Sequence, residues 1–369
     1  SFLEDPDGSM WIGTDRGLET AEMEGSYSLS DRALVVKVTT PGLKVAELQA
    51  SSGRLLGAAA VPLLEAAKEG VWKGWVRYRR EGEFEGEWSG EYDLQNAVIE
   101  VDGLADKVRI ASAAVSIDRN RMTIRRLRAR AGKVGFEGEY RQIGNRSRLD
   151  LAIESVNAAD LERLLIPSLA RQQGFFARTL RIGRIESPEW LKTRHLDAAL
   201  AIEELIAGDY SGSIEKALVK WDGAKIRITN IDGLIENTAI AGILNVDLSG
   251  RVPKYSFQGK AMDATYHGGR LEFEGKLETE GLGSQLLAGA RAEGTVKGRA
   301  LTFAPDTELR TVSGQFEVSV GASGPKWRLQ NVEASQGTDL LRGEGGTQAD
   351  GKLVVELMGR KPLRVTAIP

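Results

Sequence analysis

The sequence predicts a mainly β protein, an antiparallel sheet built from repeated strand pairs with a few short helices. Three observations carry that prediction. Gly is abundant at 43 residues and Pro scarce at 10, a balance that suits many strands and turns. Strand-like stretches alternate cleanly: Leu149, Leu151 and Ile153 oppose Asp150, Ala152 and Glu154, Leu271 and Phe273 oppose Glu272 and Glu274, and Phe316, Val318 and Val320 oppose Gln315, Glu317 and Ser319. One apolar and one wet face is the pattern of an antiparallel sheet covered on one side. Finally, a skeleton recurs with an apolar residue, a second two later, a third five later and Gly sixteen later. Its copies are Met122, Ile124, Leu127, Gly138; Ile226, Ile228, Ile231, Gly242; and Trp327, Leu329, Val332, Gly343.

Taken in order, residues 1–42 read as an N-terminal strand segment. The phrase ED-x-x-G-x-x-WIGT resembles a propeller blade, but WIGT occurs once, and blades need it at intervals of about 40–50 residues. A hairpin turning at Asp7-Gly8 accounts for it, and Gly25–Ser28 and Ala33–Thr39 add strands. Residues 43–156 form a strand module opened by two short helical segments, 43–56 and 62–68, whose apolar spacings are three and four. Residues 157–195 are a helical insertion and loop. Asn157 caps its helix with Asp160 three later, Leu161, Leu164, Leu165 and Leu169 make its apolar face, and Pro167 breaks or kinks it. Residues 196–369 return to strands, with turns expected at Asp222-Gly223, Gly268-Gly269, Gly345-Gly346 and Asp350-Gly351.

Composition excludes several classes. Net charge is −3, with 49 basic and 52 acidic residues, so no global field points to nucleic acid. With no Cys there are no disulfides or thiolate metal sites. No apolar run of about 18 residues spans a bilayer. The sequence opens on Ser and reads as a segment of a longer chain, so a targeting or anchoring segment is expected outside it.

Catalytic chemistry is not evident, and the chain is expected to be no enzyme, without cofactor or metal. His195 and His267 stand in no ligand spacing; among 52 acidic residues a pair such as Glu203/Glu204 is expected by chance, and Glu83/Glu85/Glu87 reads as the wet side of a strand rather than as paired catalytic acids. Gly132–Gly138 has glycine spacing but no helix after it, so it is no dinucleotide fingerprint. The densest basic run is Arg119, Arg121, Arg125, Arg126, Arg128, Arg130 and Lys133; lipid phosphate or a nucleic acid can use such a run, but the solvated, aggregation-resistant face of exposed strands is the preferred account of it. Two helical stretches are too few to cover this much apolar sheet. The sheet must fold on itself, meet a second sheet, or hold something apolar that is not protein.

The order of LKVAELQASSGRLL, an aromatic strand, WSGEYDLQNAVIEVDGL, VRIASAAVSIDRNRMTIRRLRARAGKVGFEGEY and SVNAADLERLL resembles the AsmA-like family of bacterial envelope proteins, to which TamB and YhdP are related. The likeness spans roughly residues 25–360, by pattern rather than by a fixed motif. That family is similar to bridge-like lipid-transfer proteins. The resemblance implies an elongated, curved groove with an apolar concave face and a polar convex one. It implies phospholipid transport between the inner and outer membranes of a Gram-negative cell, a role in outer membrane biogenesis, and a periplasmic location. The family's N-terminal transmembrane helix is absent from this sequence, so a membrane tether would lie outside it. The partners implied are phospholipid acyl chains and the two membranes or their proteins, with no nucleic acid. Groove-facing candidates by alternation are Val108, Ile110, Met122, Ile124, Phe136, Leu149, Leu151, Ile153, Ile226, Ile228, Leu244, Val246, Leu271, Phe273, Phe316, Val318, Trp327 and Leu329. Headgroup candidates are Arg171, Arg178, Arg181 and Arg184. Alternation is equally satisfied by a core between packed sheets. Two other readings stand beside transport: an assembly factor pairing its open edges with client strands, and a carbohydrate-binding or hydrolytic β-sandwich.

Overall fold

The computed structural model describes residues 2–4, 9–12, 21–28, 32–47, 63–64, 66–82, 86–144, 146–169, 189–304, 307–321 and 324–367. Within these it is mainly β. The first strands are β1 (Phe2–Glu4), β2 (Ser9–Ile12), β3 (Ala21–Ser28), β4 (Ala33–Lys44), β5 (Ala67–Glu81), β6 (Glu87–Ile99), β7 (Val108–Asp118), β8 (Arg121–Ala131), β9 (Val134–Ile143) and β10 (Arg146–Asn157). Helices α1 (Ala158–Leu169) and α2 (Glu189–Lys192) follow. Then come β11 (His195–Ala207), β12 (Tyr210–Asp222), β13 (Lys225–Ile235), β14 (Thr238–Asp247), β15 (Lys254–Tyr266) and β16 (Gly269–Glu280). A helical turn, α3 (Gln285–Ala288), precedes β17 (Arg291–Ala304), β18 (Thr307–Gly321), β19 (Gly324–Gln336), β20 (Asp339–Thr347), β21 (Leu353–Met358) and β22 (Leu363–Ala367). None of the described helices is long and apolar enough to cross a membrane.

The chain divides into two units. The first comprises Ser1–Val156, Arg163–Leu165 and His195–Ala199; the second comprises Asn157–Glu162, Ile166–Arg194 and Leu200–Pro369.

In the first unit, β1 to β10 form an antiparallel meander, each strand pairing with the next. Leu3 pairs with Trp11, as the N-terminal hairpin requires; Asp7-Gly8 lies outside the described residues. Trp72, Leu94, Val45, Leu64 and Ala67 are wholly buried, and Tyr92 meets Trp72 edge-on at 6.1 Å. Each such Leu or Val contributes about 1.5–3 kcal/mol by leaving water. The helical expectation for 62–68 is overturned, since 63, 64 and 66 are turn and none of the described residues there is helical. Ala67 and Lys68 open β5, where Ala67 pairs with Ile99, so sheet pairing overrides a weak local helix preference. In the segment 43–56, Leu43 and Lys44 close β4 and only 45–47 are helical; the rest lies outside the described residues.

In the second unit, β12 to β22 form another antiparallel meander. The Asn157 Oδ1 accepts from the Ala159 amide at 2.9 Å, supplying the expected cap of α1, which carries Pro167 within it. Gly345-Gly346 is not a turn. It lies inside β20, where Gly345 pairs with Leu329 and Val355, and a methyl there would press on the Val354 carbonyl.

The recurring skeleton has one structural cause. In each copy the ladder slips between the second and third apolar residues, at Ile124/Leu127, Ile228/Ile231 and Leu329/Val332. The residue just before the third apolar one is left-handed: Arg126 (φ 50°), Asn230 (φ 52°) and Asn331 (φ 51°). This is a β-bulge, which inserts one residue and returns the apolar side chains to the same face. The Gly sixteen later pairs with the third apolar residue: Leu127 with Gly138, Ile231 with Gly242, Val332 with Gly343. A Cβ at each would collide with a carbonyl of the following strand, that of Asp150, Gln258 or Glu356.

Candidate functional site

The register of β13 to β19 builds one apolar face in the second unit. Ile228, Leu244, Phe257, Leu277, Ala292, Val318 and Trp327 stand in line across seven strands. The next row is Ile231, Gly242, Gly259, Gly275, Gly294, Phe316 and Leu329, and a third holds Gly233, Ile240, Ala261, Phe273, Val296 and Gly314. No row carries a charged or hydroxyl side chain. Phe273 meets Phe316 edge-on at 5.7 Å, and Phe316 meets Trp327 at 6.1 Å.

The two ends of this face are covered. At one, α2 delivers a wholly buried Leu191 onto Val246 and Leu248, with Trp190, Trp221 and Tyr255 around them. Burial pushes the Tyr255 phenol up to about 12, with the Glu162 carboxylate adding to the shift. At the other end a second apolar cluster forms from Leu301, Leu309, Val332, Leu341, Leu357 and Val365, drawn from β17 to β22, and β22 approaches β17. Between the ends, Phe257, Phe273, Ala292, Val296, Val318 and Trp327 are only half-buried, and Leu277 is exposed at 39%.

Every candidate taken from alternation in the second unit falls on this face. Ile226, Ile228, Leu244, Leu271, Phe273, Val318, Trp327 and Leu329 are half-buried, while Val246 and Phe316 are buried. In the first unit Val108, Ile110, Ile124 and Ile153 are buried, and Met122, Phe136, Leu149 and Leu151 are half-buried. Arg171, Arg178, Arg181 and Arg184 lie outside the described residues. Alternation missed Phe257, Leu277, Ala292 and Val296. Gly259, Gly275 and Gly294 interrupt their strands, so the apolar period is visible only once the partners are aligned.

The opposite face is charged. Arg299 pairs with Glu272 at 3.0 Å, Arg342 with Glu333 at 3.0 Å, and Lys225 with Asp247 at 2.5 Å. The Lys225 ammonium, then Ser249, hold the Asp247 carboxyl down at about 2. A depression of about 1100 Å³ lies on this side of the glycine row, lined by Lys260, Glu274, Lys276, Glu293, Gln315 and Arg328. Neighbouring depressions of about 750 and 470 Å³ are likewise lined by charged side chains. Among the described residues no three His, Cys, Asp or Glu come together to hold a metal. His267 sits in a turn against Tyr266 and Phe303.

No family model, curated protein or solved structure matches the chain. The site is therefore read from its own geometry. Apolar rows of this kind act through water exclusion and dispersion; they offer no nucleophile, acid or base.

Proposed function

We propose that the chain is a non-catalytic, AsmA-like module of a bacterial cell envelope whose apolar face shelters the acyl chains of phospholipids in transit between membranes. One observation supports this reading above the rest: the band from Phe257 to Trp327 is half-exposed between two covered ends. An acyl chain laid along it gains about 0.8 kcal/mol for each buried methylene, without any specific polar contact. Headgroups stay in water, and the lipid moves by sliding.

The test is binding of a fluorescent acyl-chain probe to the purified chain and to Phe273→Asp and Val318→Asp variants. A charge at either position places an unpaired carboxylate where hydrocarbon would lie. Each variant is expected to lose most probe binding while keeping its circular dichroism spectrum. Unchanged probe binding in both folded variants would reject the face as the lipid site.

A further inference from the structure

The β7–β8 hairpin carries a charge imbalance that the apolar face does not explain. Residues 107–133 hold nine Lys or Arg and one acid, Asp118, in a chain of net charge −3. Neighbouring segments answer some of it: Glu87 pairs with Arg119 at 3.2 Å, Asp93 with Arg126 at 3.6 Å, Glu137 with Arg128 at 3.1 Å and Glu100 with Lys107 at 3.2 Å. Arg109, Arg125 and Arg130 are exposed and have no ion-pair partner among the described residues. Arg109 stands directly opposite Arg130 in the ladder, and Arg125 opposite Ala114. Like charges facing across a strand pair are destabilising, and an anion placed between them reverses the sign.

We infer that this face of the hairpin is a docking surface for a membrane bearing anionic phospholipid. Charge complementarity carries the choice of occupant. The cations line a pair of adjacent strands, so several guanidinium groups reach a planar array of phosphodiesters at once. The Arg109, Arg125 and Arg130 positions have no aromatic residue paired with them on which a base would stack, which disfavours single-stranded nucleic acid. The inference is independent of the apolar band in the second unit, since it rests on exposed arginines that alternate with the buried Val108, Ile110, Ala129 and Ala131 of their own two strands.

Sedimentation with phosphatidylcholine vesicles, with and without phosphatidylglycerol, tests it. The chain is expected to bind only the anionic vesicles and to be released by salt. The triple variant R109Q/R125Q/R130Q is expected to lose on the order of a hundredfold in partitioning, and R130Q alone several-fold. The matched triple K260Q/K276Q/K297Q, on the charged face of the second unit, is expected to bind as the parent does. Equal binding to neutral vesicles, an arginine triple that binds normally, or equal loss in both triples would overturn the inference. So would duplex DNA binding that depends on the three arginines while vesicle binding is absent.

Discussion

At the residue scale, the decisive positions are the left-handed residues of the bulges. Asn230 illustrates the economy of the device. A residue at φ 52° costs about 1–2 kcal/mol for most side chains, and least for Asn and Gly. Asn230→Gly should leave stability close to that of the parent. Asn230→Val should lower it by about 1–2 kcal/mol in urea denaturation, because a β-branched side chain fits that region worst. A Val variant as stable as the Gly variant would mean that the bulge relaxes without cost. The spacing of this repeat was legible in the sequence, since Ile226, Ile228 and Ile231 stand out as apolar. Its cause was not. A step of two followed by a step of three breaks strand alternation unless one residue is bulged out, and only the pairing of Ile228 with Leu244 and Ile231 with Gly242 displays that.

At the element scale, the row Gly242, Gly259, Gly275 and Gly294 draws four strands together. At Gly275 an added methyl would press on the Glu293 carbonyl and the Gly294 backbone. Gly275→Ala should therefore cost about 1–3 kcal/mol as the strands are forced apart. Gly135→Ala, where a methyl meets open space, should be neutral or slightly stabilising by thermal melting. Equal stability of the two variants would show that the close approach at Gly275 is unimportant. Sequence reading found the strands around this row from their flanking alternation but lost the phase at each glycine, and so passed over Phe257 and Leu277. It also placed helix at 62–68, where local spacing favoured it and pairing of Ala67 with Ile99 decided otherwise. The capped helix after Asn157 was legible because its cap, its leucines and its proline all lie close together in sequence.

At the scale of the whole molecule, both units solve the same problem, an apolar sheet face with few helices, in different ways. The first buries most of its face, with Trp72 and Leu94 wholly inaccessible. The second covers its two ends and leaves the middle band open. Alternation names the residues of both faces, yet it is blind to what lies over them, since Ile110 and Phe273 share one pattern and differ in burial. The proposal of a lipid-carrying module rests on that open band. Mass spectrometry of organic extracts tests it most directly, using the chain purified from a host with ordinary phospholipids. Phospholipid enriched well above a matched control protein, and depleted in the Phe273→Asp variant, is the predicted result. A folded, monomeric chain whose extract carries no more phospholipid than the control would contradict it.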